Sequence, residues 1–287
     1  MPDLTSEHNS MNYNEFLLFR DYIIENCGIS IPYEKAYLIE TRLAKLMLDS
    51  GTESFGELHK YIVSNPDSPI RQKIVNAITT NETLWFRDAA PWRVLEKIYL
   101  PGLVDALVSG RKTRVRVWCA AVSTGQEAYS TVMCVDDYLK RNNIKGIDLS
   151  YFDFFATDIS SNVLDIARKG RYDQISIMRG LDDYYKTRYF TRSGSAWDID
   201  PKIRSAVRFV NFNLQNSFHL FGLFDIIFCR YVLIYFSDSF KKEVVKKMYN
   251  ALADNGVLFT GNYVLYELFK DDYEVNHYEN LTYYTKR

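Results

Sequence analysis

The sequence has few of the residues that build metal or disulfide sites. Its four cysteines, Cys27, Cys119, Cys134 and Cys229, show no CxxC spacing, and two of them sit inside apolar runs typical of buried strands. The four histidines are scattered, with no HxxxH or Cys/His pairing. We therefore expect reduced, buried thiols, no metal site and a cytoplasmic location.

The sequence also lacks long hydrophobic runs and any large excess of positive or negative charge. No stretch is long and apolar enough to cross a bilayer, and the N-terminal MPDLTSEHNSMN lacks the basic and apolar regions of a signal peptide. With 35 Lys and Arg against 36 Asp and Glu, the formal net charge is −1. We predict no direct membrane insertion and no nucleic-acid partner.

The chain divides into two parts with different hydrophobic periods. From Asn14 to about Thr80, apolar residues recur at helical spacing, as in NEFLLFRDYIIENCG and PYEKAYLIETRLAKLMLDSG. From Arg114 onward, apolar strand-like runs alternate with helical segments, which favours a doubly wound α/β sheet. We predict an N-terminal helical domain over residues 1–80 and an α/β domain over residues 81–287.

Six segments of the second part are predicted to be strands of one sheet. They are RVRVWCAA, YFDFFATDI, VRFVNFNL, FDIIFC, GVLFTGNYVL and ENLTYYTKR. The segment SFKKEVVKKMYNALADNG is predicted to be a helix. The stretch at about 184–208 breaks this alternation around its SGS turn, which predicts a small antiparallel hairpin subdomain.

Charged residues stand at the predicted strand ends, which is where open α/β sheets bind ligands. Gly125 and Glu127 follow the first strand, Asp158 ends the second, and Arg230 interrupts the apolar run FDIIFCRYVLIYFS. The first loop is neither GxGxxG nor GxxxxGK[ST], so phosphate binding has little support. Two neighbouring acids favour a nucleoside ligand with positive charge, such as S-adenosyl-L-methionine (AdoMet). Asp158 could equally cap a helix, and Arg230 could extend to the surface.

Several motifs resemble those of the CheR-type chemotaxis receptor methyltransferase family. In order along nearly the whole chain they are TTNETLWFRD, RVWCAAVSTGQEAYS, FFATDIS, GRY, KTRYF, FVNFNL and FDIIFCRYVLIYF. The resemblance implies a Rossmann-like AdoMet-dependent methyltransferase sheet with a small inserted antiparallel β-subdomain and an N-terminal helical domain. It also implies O-methylation of glutamate side chains on chemoreceptor cytoplasmic helices during chemotaxis adaptation. The products would be glutamyl methyl esters and S-adenosyl-L-homocysteine.

The same resemblance implies roles for individual residues. Cofactor contacts are expected from Asn81, Thr83, Arg87, Glu127, Asp158, Asn213, Leu214, Arg230 and Tyr231. Within this set, Glu127 is expected to hold the amino group of AdoMet and Asp158 its ribose. Arg87 and Tyr235 are expected to face the incoming glutamate as catalytic residues.

The chain departs from the family pattern at places that bear on function. Tyr231 stands where the family usually has asparagine, and GNYVLYE from Gly261 replaces Gly-His-Ser-Glu. Residues 1–80 hold 7 Lys and Arg against 11 Asp and Glu, a net of −4, where the family tends to present a basic helix. We interpret Arg42 and Lys45 as part of a solvated charged face. The short hairpin RSGSAWDID predicts receptor binding without a tail-peptide tether.

Other functions remain open on the sequence alone. An AdoMet-binding signalling protein without catalysis would explain the departures at Tyr231 and after Gly261. A methyltransferase acting on another protein substrate also fits. Nucleic-acid methylation is disfavoured because the (N/D)PP(Y/F) loop of amino-methylating enzymes is absent. A nicotinamide dehydrogenase is disfavoured because the glycine fingerprint is missing.

Overall fold

Four helices with their own apolar core form the N-terminal part of the chain. The computed structural model describes residues 10–261, 266–270 and 272–287. The helices are α1 (Tyr13–Cys27), α2 (Ala36–Asp49), α3 (Phe55–Ser64) and α4 (Pro69–Ile78). The Asn12 side chain caps the start of α1, and Gly28 ends this helix with a φ of 71°. The apolar face predicted for α1 packs against the other three helices, which confirms the N-terminal helical domain.

The strands form one large and one small sheet in the described part of the chain. They are β1 (Val115–Ala120), β2 (Phe152–Asp158), β3 (Arg171–Asp173), β4 (Phe190–Ser193), β5 (Ala196–Ile199), β6 (Val207–Asn211), β7 (Phe224–Phe228), β8 (Leu252–Phe259), β9 (Tyr273–Tyr278) and β10 (Leu281–Lys286). The large sheet has the order β6-β2-β1-β7-β8-β10-β9. Its first five strands run parallel, and β10 pairs antiparallel with both β8 and β9. The predicted Rossmann-like α/β class is confirmed.

Helices pack on both faces of the large sheet and, in the case of α9 and α10, on the small sheet. They are α5 (Ala89–Val94), α6 (Leu100–Val108), α7 (Gln126–Arg141), α8 (Ser161–Lys169), α9 (Gln174–Met178), α10 (Asp183–Tyr189), α11 (Pro201–Ser205), α12 (Asp238–Ala251) and α13 (Tyr266–Phe269). A π-helical turn, Leu95–Tyr99, joins α5 to α6, and short 3₁₀ helices span Tyr33–Lys35, Leu149–Tyr151, His219–Phe221 and Leu233–Tyr235. Because side chains alternate along a strand, Val117 and Cys119 enter one apolar core while Trp118 and Ala120 enter the other.

The small sheet is antiparallel, with the order β3-β5-β4. The hairpin predicted at about 184–208 contains β4 and β5, joined by a turn at Gly194 with a φ of 64°. Its third strand, β3, precedes the predicted range. The inserted antiparallel β-subdomain is therefore confirmed, with one strand more than the sequence indicated.

Two predictions about the C-terminal segments differ from the structure, and one strand was not predicted. The predicted helix through Gly256 ends at Ala251, because Leu252 is buried and pairs with Phe224 in the sheet. The following strand ends at Phe259, and residues 262–265 of its predicted extension lie outside the described residues. Strand β9 was not predicted. It lies at the sheet edge, where partly exposed positions interrupt the apolar alternation.

Candidate active site

The carboxyl ends of four parallel strands open onto one cleft of about 540 Å³. Strand β2 lies on one side of β1 and β7 on the other, so strand order reverses between β1 and β7. This is the place where open α/β sheets bind ligands. The volume falls within the range of about 300–1,000 Å³ that suits a cofactor.

Most of the predicted site residues line this cleft. They are Asn81, Arg87, Asp158, Asn213, Leu214, Arg230, Tyr231 and Tyr235. Thr83 and Glu127 are not among its lining residues. Glu127 instead lies behind Arg230, with its Oε2 3.1 Å from Nη1 of that side chain.

Asp158 fixes the two loops that follow β1 and β2. Its Oδ2 accepts the backbone N–H of Ser123 at 2.8 Å, and its Oδ1 accepts the N–H of Ser160 at 2.9 Å. Burial raises the pKa of Asp158, and these two N–H groups oppose that rise. A carboxylate offers about four acceptor positions, so further acceptor sites remain for ligand hydroxyls.

The loop after β1 depends on a glycine at its end. Gly125 has a φ of 95°, and a Cβ there would lie 2.9 Å from the Cβ of Ala167 on α8. The Ser123 hydroxyl donates to the backbone oxygen of Asn81 at 2.8 Å, which ties this loop to the segment between α4 and α5. Asn81 therefore reaches the cleft because the β1 loop holds its backbone.

Arg230 is an internal cation at the point where the sheet order reverses. Its side chain is 1% exposed, which excludes the alternative that it extends to the surface. Its Nη2 lies 2.6 Å from Oδ2 of Asp88 and donates to the backbone oxygen of Arg87 at 2.7 Å. Burial raises the pKa of Glu127, and the nearby Arg230 guanidinium opposes this rise. Two carboxylates thus balance one buried guanidinium.

Tyr231 supports Arg87 at the cleft. The Arg87 guanidinium carbon lies 3.7 Å from the centre of the Tyr231 ring, and the Tyr231 hydroxyl donates to Asp88. Tyr231 has a φ of 59°, a backbone region that asparagine tolerates better than tyrosine. The ring fits there because Gly261 lies beneath it, where a Cβ would be 3.2 Å away. Tyr231, at a position where the resemblance implied asparagine, therefore makes contacts of its own.

The N-terminal helices close the remaining side of the cleft, which the sequence did not predict. The Ser30 N–H donates to the backbone oxygen of Tyr235 at 2.8 Å, and Ile29 forms an isolated β-bridge with Phe236. Further lining residues from this part are Cys27, Ile31, Pro32, Lys35, Leu38 and Arg42. The interpretation of Arg42 as part of a solvated face is wrong, because it bonds to the backbone oxygen of Ile78 and lines the cleft.

The described residues also bear on metal binding and on membrane spanning. Within the described ranges, no three or more His, Cys, Asp and Glu side chains are placed to hold a metal ion. None of the helices described is long and apolar enough to span a membrane.

Comparison with known proteins matches both parts of the chain. The family described as CheR methyltransferase, all-alpha domain, matches residues 14–79, and CheR methyltransferase, SAM binding domain, matches residues 81–279. Chemotaxis protein methyltransferase Cher2 of Pseudomonas putida is 40% identical over 248 residues, covering 86% of this chain and 88% of the relative. Chemotaxis protein methyltransferase 1 of Pseudomonas aeruginosa is 41% identical with the same coverage. A chemotaxis protein methyltransferase of Vibrio anguillarum is 37% identical, covering 86% of this chain and 87% of the relative.

Proposed function

The chain belongs to the CheR methyltransferase family, and from this premise we propose how its cleft performs the family's reaction. The protein is an AdoMet-dependent protein-glutamate O-methyltransferase of chemotaxis, and its substrate is a chemoreceptor. It forms glutamyl methyl esters on receptor cytoplasmic helices and releases S-adenosyl-L-homocysteine. One observation supports this function best: a single cleft is lined by Asp158, Arg230, Arg87 and Tyr235.

The residues of the cleft fit AdoMet. The unused acceptor sites of Asp158 suit the two ribose hydroxyls, and Asn213 and Leu214 line the adjoining wall of the cleft. Neither Glu127 nor Thr83 lines the cleft. We propose that Glu127 affects cofactor binding by holding Arg230, and that Thr83 does so by positioning the segment that carries Asn81. When bound, AdoMet supplies an electrophilic methyl group on a positively charged sulfur.

The protein side of the reaction consists mainly of positioning. A glutamate with an ordinary pKa of ~4.3 is already ionised at neutral pH, so no general base is required. Arg87, held against Tyr231, and Tyr235, held by Ser30, are proposed to orient that carboxylate at the cleft mouth. Correct orientation of two reactants can lower a barrier by roughly 7–11 kcal/mol. An excessive grip on the ground-state carboxylate would slow transfer.

The domain boundary and the location complete the proposal. We place the boundary near residue 80, with the helical domain over 1–80 and the methyltransferase domain over 81–287. The β-subdomain at about 184–208 lies within the second domain. A substrate on cytoplasmic receptor helices requires the enzyme to act in the cytoplasm.

Replacing Asp158 by asparagine is expected to weaken AdoMet binding by about tenfold or more. Asparagine keeps one acceptor oxygen, so only one of the N–H groups of Ser123 and Ser160 can still be accepted. The NH₂ group that replaces the other oxygen also removes an acceptor for a ribose hydroxyl. In the unmodified protein, affinity should fall as pH drops through the raised pKa of Asp158, because the ionised form accepts the hydroxyls. The variant should lose this dependence. Calorimetric titration from neutral pH down toward the ordinary Asp pKa of ~3.9 measures both effects.

The matched control is Asp153→Asn, at the opposite end of β2, where the carboxylate pairs with Arg114 at the surface. We expect unchanged AdoMet affinity in this variant. Equal affinity and equal pH dependence in Asp158→Asn would contradict the ribose role.

Receptor methylation is expected to be independent of a C-terminal tail peptide. A tail peptide that bound to the small antiparallel sheet as an added strand would pair with β3 or β4. These two edge strands have only three and four residues. Deleting the tail from a purified receptor should leave the KM for that receptor unchanged within about twofold. Tight capture of the protein on an immobilised tail peptide would contradict this expectation.

The decisive test of function is transfer of radiolabelled methyl from AdoMet to a purified receptor cytoplasmic fragment, followed by mild base. Label released as methanol identifies a carboxyl methyl ester. AdoMet binding without any transfer would favour the non-catalytic signalling function. Base-stable label would instead indicate a different acceptor group.

A further inference from the structure

We propose that Ile175, Met178 and Arg179, here called the α9 surface, dock the receptor helix that carries the target glutamate. This inference rests on the proposed function, since it names the contact through which that substrate is presented to the cleft. The occupant is an anionic helix with an apolar face. The argument uses exposure, rigidity, position and charge.

The α9 surface exposes two large apolar side chains together. Ile175 is 74% exposed and Met178 is 71% exposed, and their spacing of three residues places them on one face of the helix. Ile177, on the opposite face, is buried in the core. Among the large apolar side chains of the described ranges, only Leu220 is more exposed, at 92%. Adjacent exposed apolar groups of this kind mark interaction sites.

Hydrogen bonds hold this short helix in place from three directions. Asp173 accepts the N–H of Ser176 at 2.7 Å, and Gln174 accepts the indole N–H of Trp197 at 2.8 Å. The backbone oxygen of Ser176 accepts the indole N–H of Trp85 at 2.9 Å. The two apolar side chains are thus presented on a fixed backbone, which reduces the ordering cost of binding.

The α9 surface adjoins the cleft. Arg179 pairs with Glu82 at 2.7 Å, and the backbone oxygen of Glu82 accepts from Arg87 at 3.4 Å. Gly180 packs so closely that a Cβ there would lie 2.5 Å from the backbone oxygen of Trp85. A helix seated on this surface therefore lies beside Arg87, which faces the cleft.

Charge distinguishes this region from the N-terminal helices. Residues 170–206, which contain the small sheet and α9, hold 7 Lys and Arg against 5 Asp and Glu, a net of +2. Residues 1–80 have a net of −4. The charge balance therefore favours a glutamate-bearing helix on this region over the N-terminal helices, and such a helix competes with Glu82 for Arg179. The apolar pair then supplies the buried contact.

The test is the double variant Ile175→Ser, Met178→Ser, assayed for methyl transfer to a purified receptor cytoplasmic fragment. We expect the KM for the receptor to rise about tenfold. The kcat at saturating receptor and the dissociation constant for AdoMet should stay unchanged. Both side chains are exposed, so the melting temperature should also be unchanged. The matched control is Leu220→Ser, in the 3₁₀ helix that precedes the amino end of the central strand β7, away from the cleft at the carboxyl ends.

The outcomes separate this inference from the proposed function. If the unmodified protein transfers no methyl to the receptor, the proposed function itself fails. If the unmodified protein is active and the double variant has the same KM, the α9 surface does not dock the receptor. A self-associating protein that becomes monomeric in the double variant with an unchanged KM would assign the surface to a second copy and overturn the inference.

Discussion

Replacing Arg87 by alanine is expected to lower kcat for methyl transfer by about 10²–10³-fold while the dissociation constant for AdoMet changes by less than about threefold. The Arg87 guanidinium rests on the ring of Tyr231 and lines the cleft. Its hydrogen bond to the backbone oxygen of Glu82 is long at 3.4 Å. The side chain is thus available to orient the incoming carboxylate. Initial rates at saturating receptor, together with calorimetric AdoMet titration, measure the two quantities.

The matched control for this variant is Arg93→Ala. Arg93 lies on α5, six residues further on, and forms an exposed ion pair with Glu279, whose loss should cost little. Arg87→Lys should recover only part of the rate, because an ammonium cannot stack on Tyr231 as a planar guanidinium does. Full turnover by Arg87→Ala would remove Arg87 from the reaction centre.

Replacing Arg230 by methionine is expected to lower the free energy of unfolding by about 3–5 kcal/mol at pH 7. The change keeps much of the side-chain volume but leaves Glu127 and Asp88 without their shared cation. It also leaves the backbone oxygen of Arg87 without its donor. Urea denaturation of the variant and the unmodified protein measures the difference.

The loss of unfolding free energy in Arg230→Met should increase as the pH rises. Burial raises the pKa of Glu127, and losing Arg230 removes the charge that opposes the rise. A carboxyl group with a raised folded pKa holds its proton longer in the folded state. Stability therefore falls as pH increases from the unfolded pKa, ~4.3, through the folded pKa. We expect a larger deficit relative to the unmodified protein at pH 7 than at pH 5.

Adding Glu127→Gln to the Arg230→Met variant is the internal control, because it removes one of the unpaired charges. The double variant should be more stable than Arg230→Met at pH 7, with a weaker pH dependence. A deficit that is equal at both pH values and unaffected by Glu127→Gln would show that the buried charge is not its cause.

The strand ends of the candidate site could be predicted because the signal there is local. Asp158 and Arg230 each end or follow an apolar run whose length and composition indicate a buried strand. Parallel strands bring their carboxyl ends to one edge, so two residues distant in sequence were expected together. The structure places both on the cleft.

The contribution of the N-terminal helices could not be predicted in this way. Ile29 and Ser30 follow the glycine that ends α1, and their sequence resembles that of any loop. Their contact with Tyr235 and Phe236 joins positions about 200 residues apart and depends on how two cores pack. Arg42 was misinterpreted for the same reason, since helical period alone does not show which neighbour covers a half-buried position.

The boundary at Leu252 shows a limit of helical periodicity. The residues before it favour a helix, and the predicted helix continued through ADNG to Gly256. Burial of Leu252 against β7 ends the helix at Ala251, five residues before the predicted end, and starts β8. Tertiary pairing overrides local propensity here.

Both halves of the chain line the cleft, and residues 29–30 join residues 235–236 beside it. Bound AdoMet therefore adds to the interactions that hold the two halves together. A ligand that needs both walls of the cleft stabilises their association by RT ln(1 + [L]/Kd), about 2.7 kcal/mol at a hundredfold excess over Kd. Heat or denaturant must then release AdoMet before α1–α4 can separate from the sheet. The supply of methyl donor therefore sets how firmly the N-terminal helices are held.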